Sequence, residues 1–148
     1  MNWFAYIMFF VNLAIIYFMP KRLTRQEIYI AWGILSSVTL NTDLFFGYLL
    51  DKYDFVSSKI TFSDLLFQAT VPPSFGVIFL NFMPTDRGRF IKYIIGWVIF
   101  SVVFEAISVK VYFLVYKGWK IWYSAVIYLL VFLYLRWHYF FIKKVLGA

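Results

Sequence analysis

Residues 98–113 read VIFSVVFEAISVKVYF. The run is apolar enough to sit in lipid, yet Glu105 stands near its middle and Lys110 follows five residues later. A carboxylate and an amine in such a run either hold helices together or line a site. Which of the two holds depends on how many similar runs the chain contains.

Five apolar segments are legible, at about 3–19, 28–50, 62–83, 93–115 and 121–142. Each ends in a short polar cluster: PKR, DKYD, PTDRGR, YKGWK and KK. A helix of about twenty apolar residues, rising about 1.5 Å per residue, crosses a hydrocarbon core of about 30 Å. The segments lack the period-two alternation of a membrane barrel, and lipid leaves an open strand edge unsatisfied. The expectation is therefore an all-α, polytopic membrane bundle of about five helices, forming one domain over 1–148. Pro72 and Pro73 fall inside the third segment and predict a kink or broken turn there, because each lacks a backbone donor.

Composition agrees. The chain has 148 residues, 64% of them hydrophobic, 25% aromatic and 14% charged. Soluble domains are about half apolar and about a quarter charged, and a small soluble fold has little interior for such an excess. There is no cysteine, which excludes disulfides, thiolate metal sites and cysteine nucleophiles. The formal net charge is +7, but the basic residues fall in short clusters between apolar runs. That is a membrane pattern, and nucleic acid is not expected as a partner.

The distribution of lysine and arginine sets the orientation. Loops one and three and the tail hold eight basic residues: Lys21, Arg22, Arg25, Arg87, Arg89, Lys92, Lys143 and Lys144. Loops two and four hold four: Lys52, Lys59, Lys117 and Lys120. The richer side is expected in the cytoplasm, with the N-terminus outside and the C-terminus inside. Short connections make sequential helices antiparallel neighbours. No internal repeat of the transporter kind is visible.

Depth along the helices groups the polar residues. Counted from the outer ends at about 1.5 Å per residue, Gln68 lies about 9 Å deep, Lys110 about 10 Å, Asp43 about 12 Å, Asn12 about 14 Å and Glu105 about 18 Å. With Asn41 they form a layer in the outer half or the centre of the membrane, where ionisable groups face a bundle interior or a wet cavity. Lys110 is at a depth to pair with Asp43, or its long stem carries the charge outward. In that case Glu105 is left with Ser101, Ser108 or an amide. A carboxyl group so placed can carry a proton or donate to a ligand. The plainer reading of each polar residue is an interhelical hydrogen bond, worth about 0.6 kcal/mol on average. A charge is not needed for that, so Asp43 and Glu105 carry the case for a site.

The stretch YKGWKIWYS at 116–124 places Tyr116, Trp119, Trp122 and Tyr123 at the outer boundary. It reads as an interfacial aromatic belt. It also reads as a cover over the cavity, turned by Gly118, with Lys117 and Lys120 available to head groups. Catalytic patterns are thin. There is one histidine, His138, near the inner end, and no HExxH, phosphate loop or nucleophile elbow.

FLNFMP at 79–84, GWVIFSVVFE at 96–105 and YKGWKIWYS resemble a family of small five-helix membrane proteins of spore-forming Gram-positive bacteria. Residue by residue the resemblance singles out Asn81, Pro84, Gly96, Trp97, Glu105, Gly118, Trp119, Tyr123 and Ser124. It implies a multi-pass protein of the bacterial plasma membrane, and it carries no activity with it.

Three functions are consistent with these residues. The first is an outward-facing polar pocket for a lipid head group, small solute or ion, in transport or sensing. The second is a non-catalytic subunit or scaffold, with a second copy or another membrane protein as partner. The third, an intramembrane enzyme using Asp43 and Glu105 as acid and base, has no further support. Membrane lipids are expected partners, and no cofactor or metal is expected.

Overall fold

The computed structural model describes residues 3–55 and 60–147. The described residues form five α-helices: α1 (Trp3–Phe18), α2 (Arg25–Asp43), α3 (Phe62–Phe82), α4 (Arg87–Lys110) and α5 (Ile121–Leu146). Two short strands, β1 (Tyr53–Phe55) and β2 (Leu114–Tyr116), join them at one end. Three helices, α3, α4 and α5, are long and apolar enough to cross a membrane. The other two fall short of that for different reasons. α1 is uncharged but only 16 residues long, about 24 Å. α2 carries Arg25, Glu27 and a run of serines, threonines and Asn41.

Helix starts are written in side chains. Thr24 accepts from the Glu27 amide while Glu27 accepts from the Thr24 amide, a reciprocal cap that opens α2. Thr61 and Asp64 do the same for α3. Asp86 accepts from the Arg89 amide at 2.9 Å, so α4 begins at Arg87 rather than near residue 93. α2 continues through a wider turn, Leu44–Leu49, before the chain reverses.

The proline pair does not break α3, which runs unbroken through Pro72 and Pro73. Their missing donors free the carbonyls four residues back, at Gln68 and Ala69. α2 fills both vacancies. Thr39 Oγ1 donates to the Gln68 carbonyl at 2.9 Å. Ser36 Oγ and Trp32 Nε1 donate to the Ala69 carbonyl at 2.9 and 3.1 Å. In a lipid-filled environment such replacement is what lets a proline-bearing helix persist. Gly76 adds to the fit: a Cβ there would collide with the Leu35 side chain of α2.

The bundle has two distinct ends. At one, Asn81 of α3 accepts from the Arg22 and Leu23 amides and donates to the Pro20 carbonyl, which fixes the turn between α1 and α2. Arg136 of α5 covers the Phe90 ring, 3.8 Å from its centroid, and donates to the Thr85 carbonyl. Lys143 approaches Glu27 at 3.9 Å. At the other end, Phe4, Phe67 and Phe113 form an apolar cluster under the strands.

The fourth segment departs from its expected bounds here. It does not stay helical to residue 115. α4 stops at Lys110, Tyr112 takes a positive φ of 58°, and the chain turns back on itself. Val111, Phe113 and Val115 are β-branched or aromatic and suit an extended chain. Phe113 is thereby turned inward until only 1% of it is exposed.

Candidate functional site

β1 and β2 pair antiparallel, with Tyr53 opposite Tyr116 and Phe55 opposite Leu114. Alternation along each strand turns these four side chains towards the bundle and sends Asp54 and Val115 the other way. The two tyrosines therefore reach inward side by side, and each finds a carboxylate. Tyr53 donates to Asp43 Oδ1 and Tyr116 donates to Glu105 Oε1. Burial, with the carboxylate beside each ring, pushes both hydroxyls above the usual tyrosine range. Both remain protonated donors.

Glu105 gathers two further hydroxyls. Ser124 donates to Oε1 and Tyr128 to Oε2, each at 2.6 Å. Trp119 Nε1 then donates to Ser124 Oγ at 2.7 Å. One carboxylate on α4 thus ties down β2, the turn after it and the first two turns of α5. Gly118, with φ of 122°, makes that turn in a region that favours glycine. Outside, Lys117 pairs with Asp51 at 2.8 Å and Asp54 at 2.7 Å. Both carboxylates hold the Lys117 ammonium above the ordinary lysine range.

Beneath this cover lies a cavity of about 200 Å³. Asp43, Tyr53, Gln68, Ser101, Glu105 and Tyr128 are among its polar lining, and phenylalanines and Trp119 form much of the rest. A second cavity of about 260 Å³ lies nearer the strands and is lined by Asp51, Asp54, Asp64 and Lys117. Asp43, Tyr53, Phe55 and Gln68 border both.

Of the residues singled out in the sequence, Asp43, Gln68, Ser101, Glu105, Ser108, Trp119 and Ser124 come together on this lining. Lys110, Asn41, Asn12, Trp122 and Tyr123 do not. Lys110 lies exposed in the last turn of α4, away from Asp43, where a positive charge suits the helix C-terminus. Asn41 is exposed and donates to the Ser37 carbonyl of its own helix. Asn12 is buried but faces α3, donating to Ser74 Oγ at 2.7 Å. Trp122 is 58% exposed, and Tyr123 packs edge-on against Trp119 outside the lining. Ser108 turns to the Phe104 carbonyl and leaves Glu105 to other partners. Lys59 lies outside the described residues.

Tyr53 and Tyr128 were not legible as site residues, and Tyr116 was legible only as part of the boundary belt or cover. They are three of twelve tyrosines, and at a membrane boundary tyrosine reads as belt. The available signal was Tyr128, which lies four residues after Ser124 on one helix face. Among the described residues no three histidine, aspartate or glutamate side chains converge as a metal site. No family model, curated protein or solved structure matches the chain.

Proposed function

We propose that the chain is a multi-pass protein of a bacterial plasma membrane that binds a small ligand in a polar pocket opening to the outside. All five helices cross in this reading, with the N-terminus outside and the C-terminus inside. Charge supports it. The end fixed by Asn81 and Arg136 also holds Lys21, Arg22, Arg25, Arg87, Arg89 and Lys92. Basic clusters of that kind stay in the cytoplasm. The end carrying the strands holds five of the seven acidic side chains.

The observation that carries the reading is the pairing of Tyr53 with Asp43 and Tyr116 with Glu105 across one small sheet, over a cavity. Helix contacts alone need no such cover. Its ion pairs and hydroxyls shape an entrance, and Asp43, Gln68 and Ser101 leave polar atoms on the cavity wall. A pocket with an apolar body and a few convergent polar groups is the usual form of a small-molecule site.

The natural absence of cysteine makes the test direct. Ser101→Cys, on the cavity wall, is expected to react in intact cells with a membrane-impermeant thiol reagent. Thr85→Cys, at the basic end, is expected to react only after permeabilisation. Reaction of Thr85→Cys from outside, or failure of Ser101→Cys to react from the outer side, refutes the outward pocket.

A further inference from the structure

We propose that the pocket takes an organic cation, an ammonium group on a small apolar body, with Asp43 as its counter-charge and Glu105 reserved for holding the cover. The proposal rests on the pocket reading above and names the ligand class.

The first argument is the sign of the lining. The chain carries a net charge of +7, yet Asp43, Asp51, Asp54, Asp64 and Glu105 all border the two cavities. Among the described residues Lys117 is the one basic side chain on either wall, and it is paired with Asp51 and Asp54. An anionic ligand meets repulsion throughout, whereas a cation is drawn to the entrance and on to Asp43.

The second argument is unused hydrogen-bonding capacity. Glu105 already accepts from Tyr116, Ser124 and Tyr128. A carboxylate has about four acceptor positions, so little is left for a ligand. Asp43 accepts from Tyr53 through Oδ1, and no described residue donates to Oδ2. Gln68 is 5% exposed and borders both cavities, and its side-chain amide donates to no described residue. Asp64 is equally buried on the outer cavity, and its Oδ1 has no partner among the described residues. Buried polar atoms are normally satisfied, so Asp64 Oδ1 points to something that arrives, with Asp43 Oδ2 and the Gln68 amide as further capacity among the described residues.

The third argument is shape. Phe46, Phe67, Phe75 and Trp119 line the inner cavity. Aromatic faces attract a desolvated ammonium group and accommodate an apolar body. A bare divalent cation needs several oxygens converging on one point, and the carboxylates here are spread along two cavities. The same ammonium chemistry occurs on free amines and on the phosphatidylethanolamine head group.

The test is calorimetric titration of the full chain in detergent with three probes of one shape: phenethylammonium, 2-phenylethanol and phenylacetate. Phenethylammonium is expected to bind, with the neutral and anionic probes weaker by about tenfold or more. Asp43→Asn is expected to weaken phenethylammonium by about tenfold or more, and Asp64→Asn by a few-fold. Glu105→Gln is expected to lower thermal stability, and Asn41→Ala, exposed on α2 and off both linings, to keep the affinity within about threefold. Equal binding of phenylacetate, or full affinity in a folded Asp43→Asn, overturns the proposal. If no probe binds, the cation assignment falls, and labelling of Ser101→Cys from outside shows whether the pocket itself survives. Repeating the titration in nanodiscs of phosphatidylethanolamine and of phosphatidylglycerol separates the sources. Competition by the former alone assigns the lipid head group, and equal affinity in both assigns a free amine.

Discussion

Replacing Glu105 by glutamine changes one atom and removes one charge, which makes it a sharp probe of the cover. In the structure Oε1 accepts from Tyr116 and Ser124, and Oε2 from Tyr128. Glutamine keeps an oxygen for the first pair but turns an NH2 group towards the hydroxyl of Tyr128. One charge-assisted bond is lost and two become neutral. Hydrogen bonds to charged groups contribute about 1.5–3 kcal/mol each and neutral ones about half of that. The expected loss is about 3–6 kcal/mol, against about 0.6 kcal/mol for an ordinary interhelical polar contact. For a chain of this length that corresponds to a fall in Tm of roughly 6–24 °C. Far-UV circular dichroism of purified protein in detergent reads the transition. Tyr128→Phe and the double variant complete a cycle, with coupling of about 1 kcal/mol or more expected between the two sites. A Glu105→Gln protein as stable as the parent, or a cycle with no coupling, refutes the account of Glu105 as the anchor of β2 and α5.

Three further outcomes follow from other contacts. Asn81→Ala strips one donor and one acceptor from the turn at Pro20, Arg22 and Leu23, and should cost about 2–3 kcal/mol in the same thermal assay. Thr39→Val keeps the shape of the side chain but leaves the Gln68 carbonyl without the donor that replaces the missing Pro72 amide, and a loss of about 1–2 kcal/mol is expected. Thr39→Val on a Pro72→Ala background should cost less, because the helix then supplies its own donor. The Lys117 ammonium is held above its ordinary range by Asp51 and Asp54, so its pairing stabilises the fold below the unfolded lysine value and is lost as pH rises through the folded one. The Tm difference between parent and Lys117→Ala is therefore expected to stay flat from about pH 6 to 9 and to shrink only in stronger alkali.

The helical character of the chain was legible because it depends on local facts. Five apolar runs are separated by basic and turn-forming clusters, and a chain in lipid must satisfy its own backbone. Candidate helices could be placed from that alone, and Asp43, Gln68 and Glu105 stood out because polar groups inside such runs are costly. The third segment shows where locality ends. Pro72 and Pro73 announced lost hydrogen bonds, but only packing against α2 supplied Trp32, Ser36 and Thr39 as replacements. The fourth segment shows the same limit. Apolarity could not tell where α4 stops, because Val111–Tyr116 is equally greasy as helix or strand, and its pairing with residues 53–55 spans some sixty positions. Helix depth gave Asp43 and Lys110 the same height, but height leaves the rotation about each axis free. Tertiary packing set that rotation, turning Lys110 out and bringing Asp43 to Tyr53. The sequence determined which groups are too polar for lipid to tolerate unpartnered. The tertiary structure decided which of them share a cavity, because that depends on contacts between distant segments and on no property of any one of them.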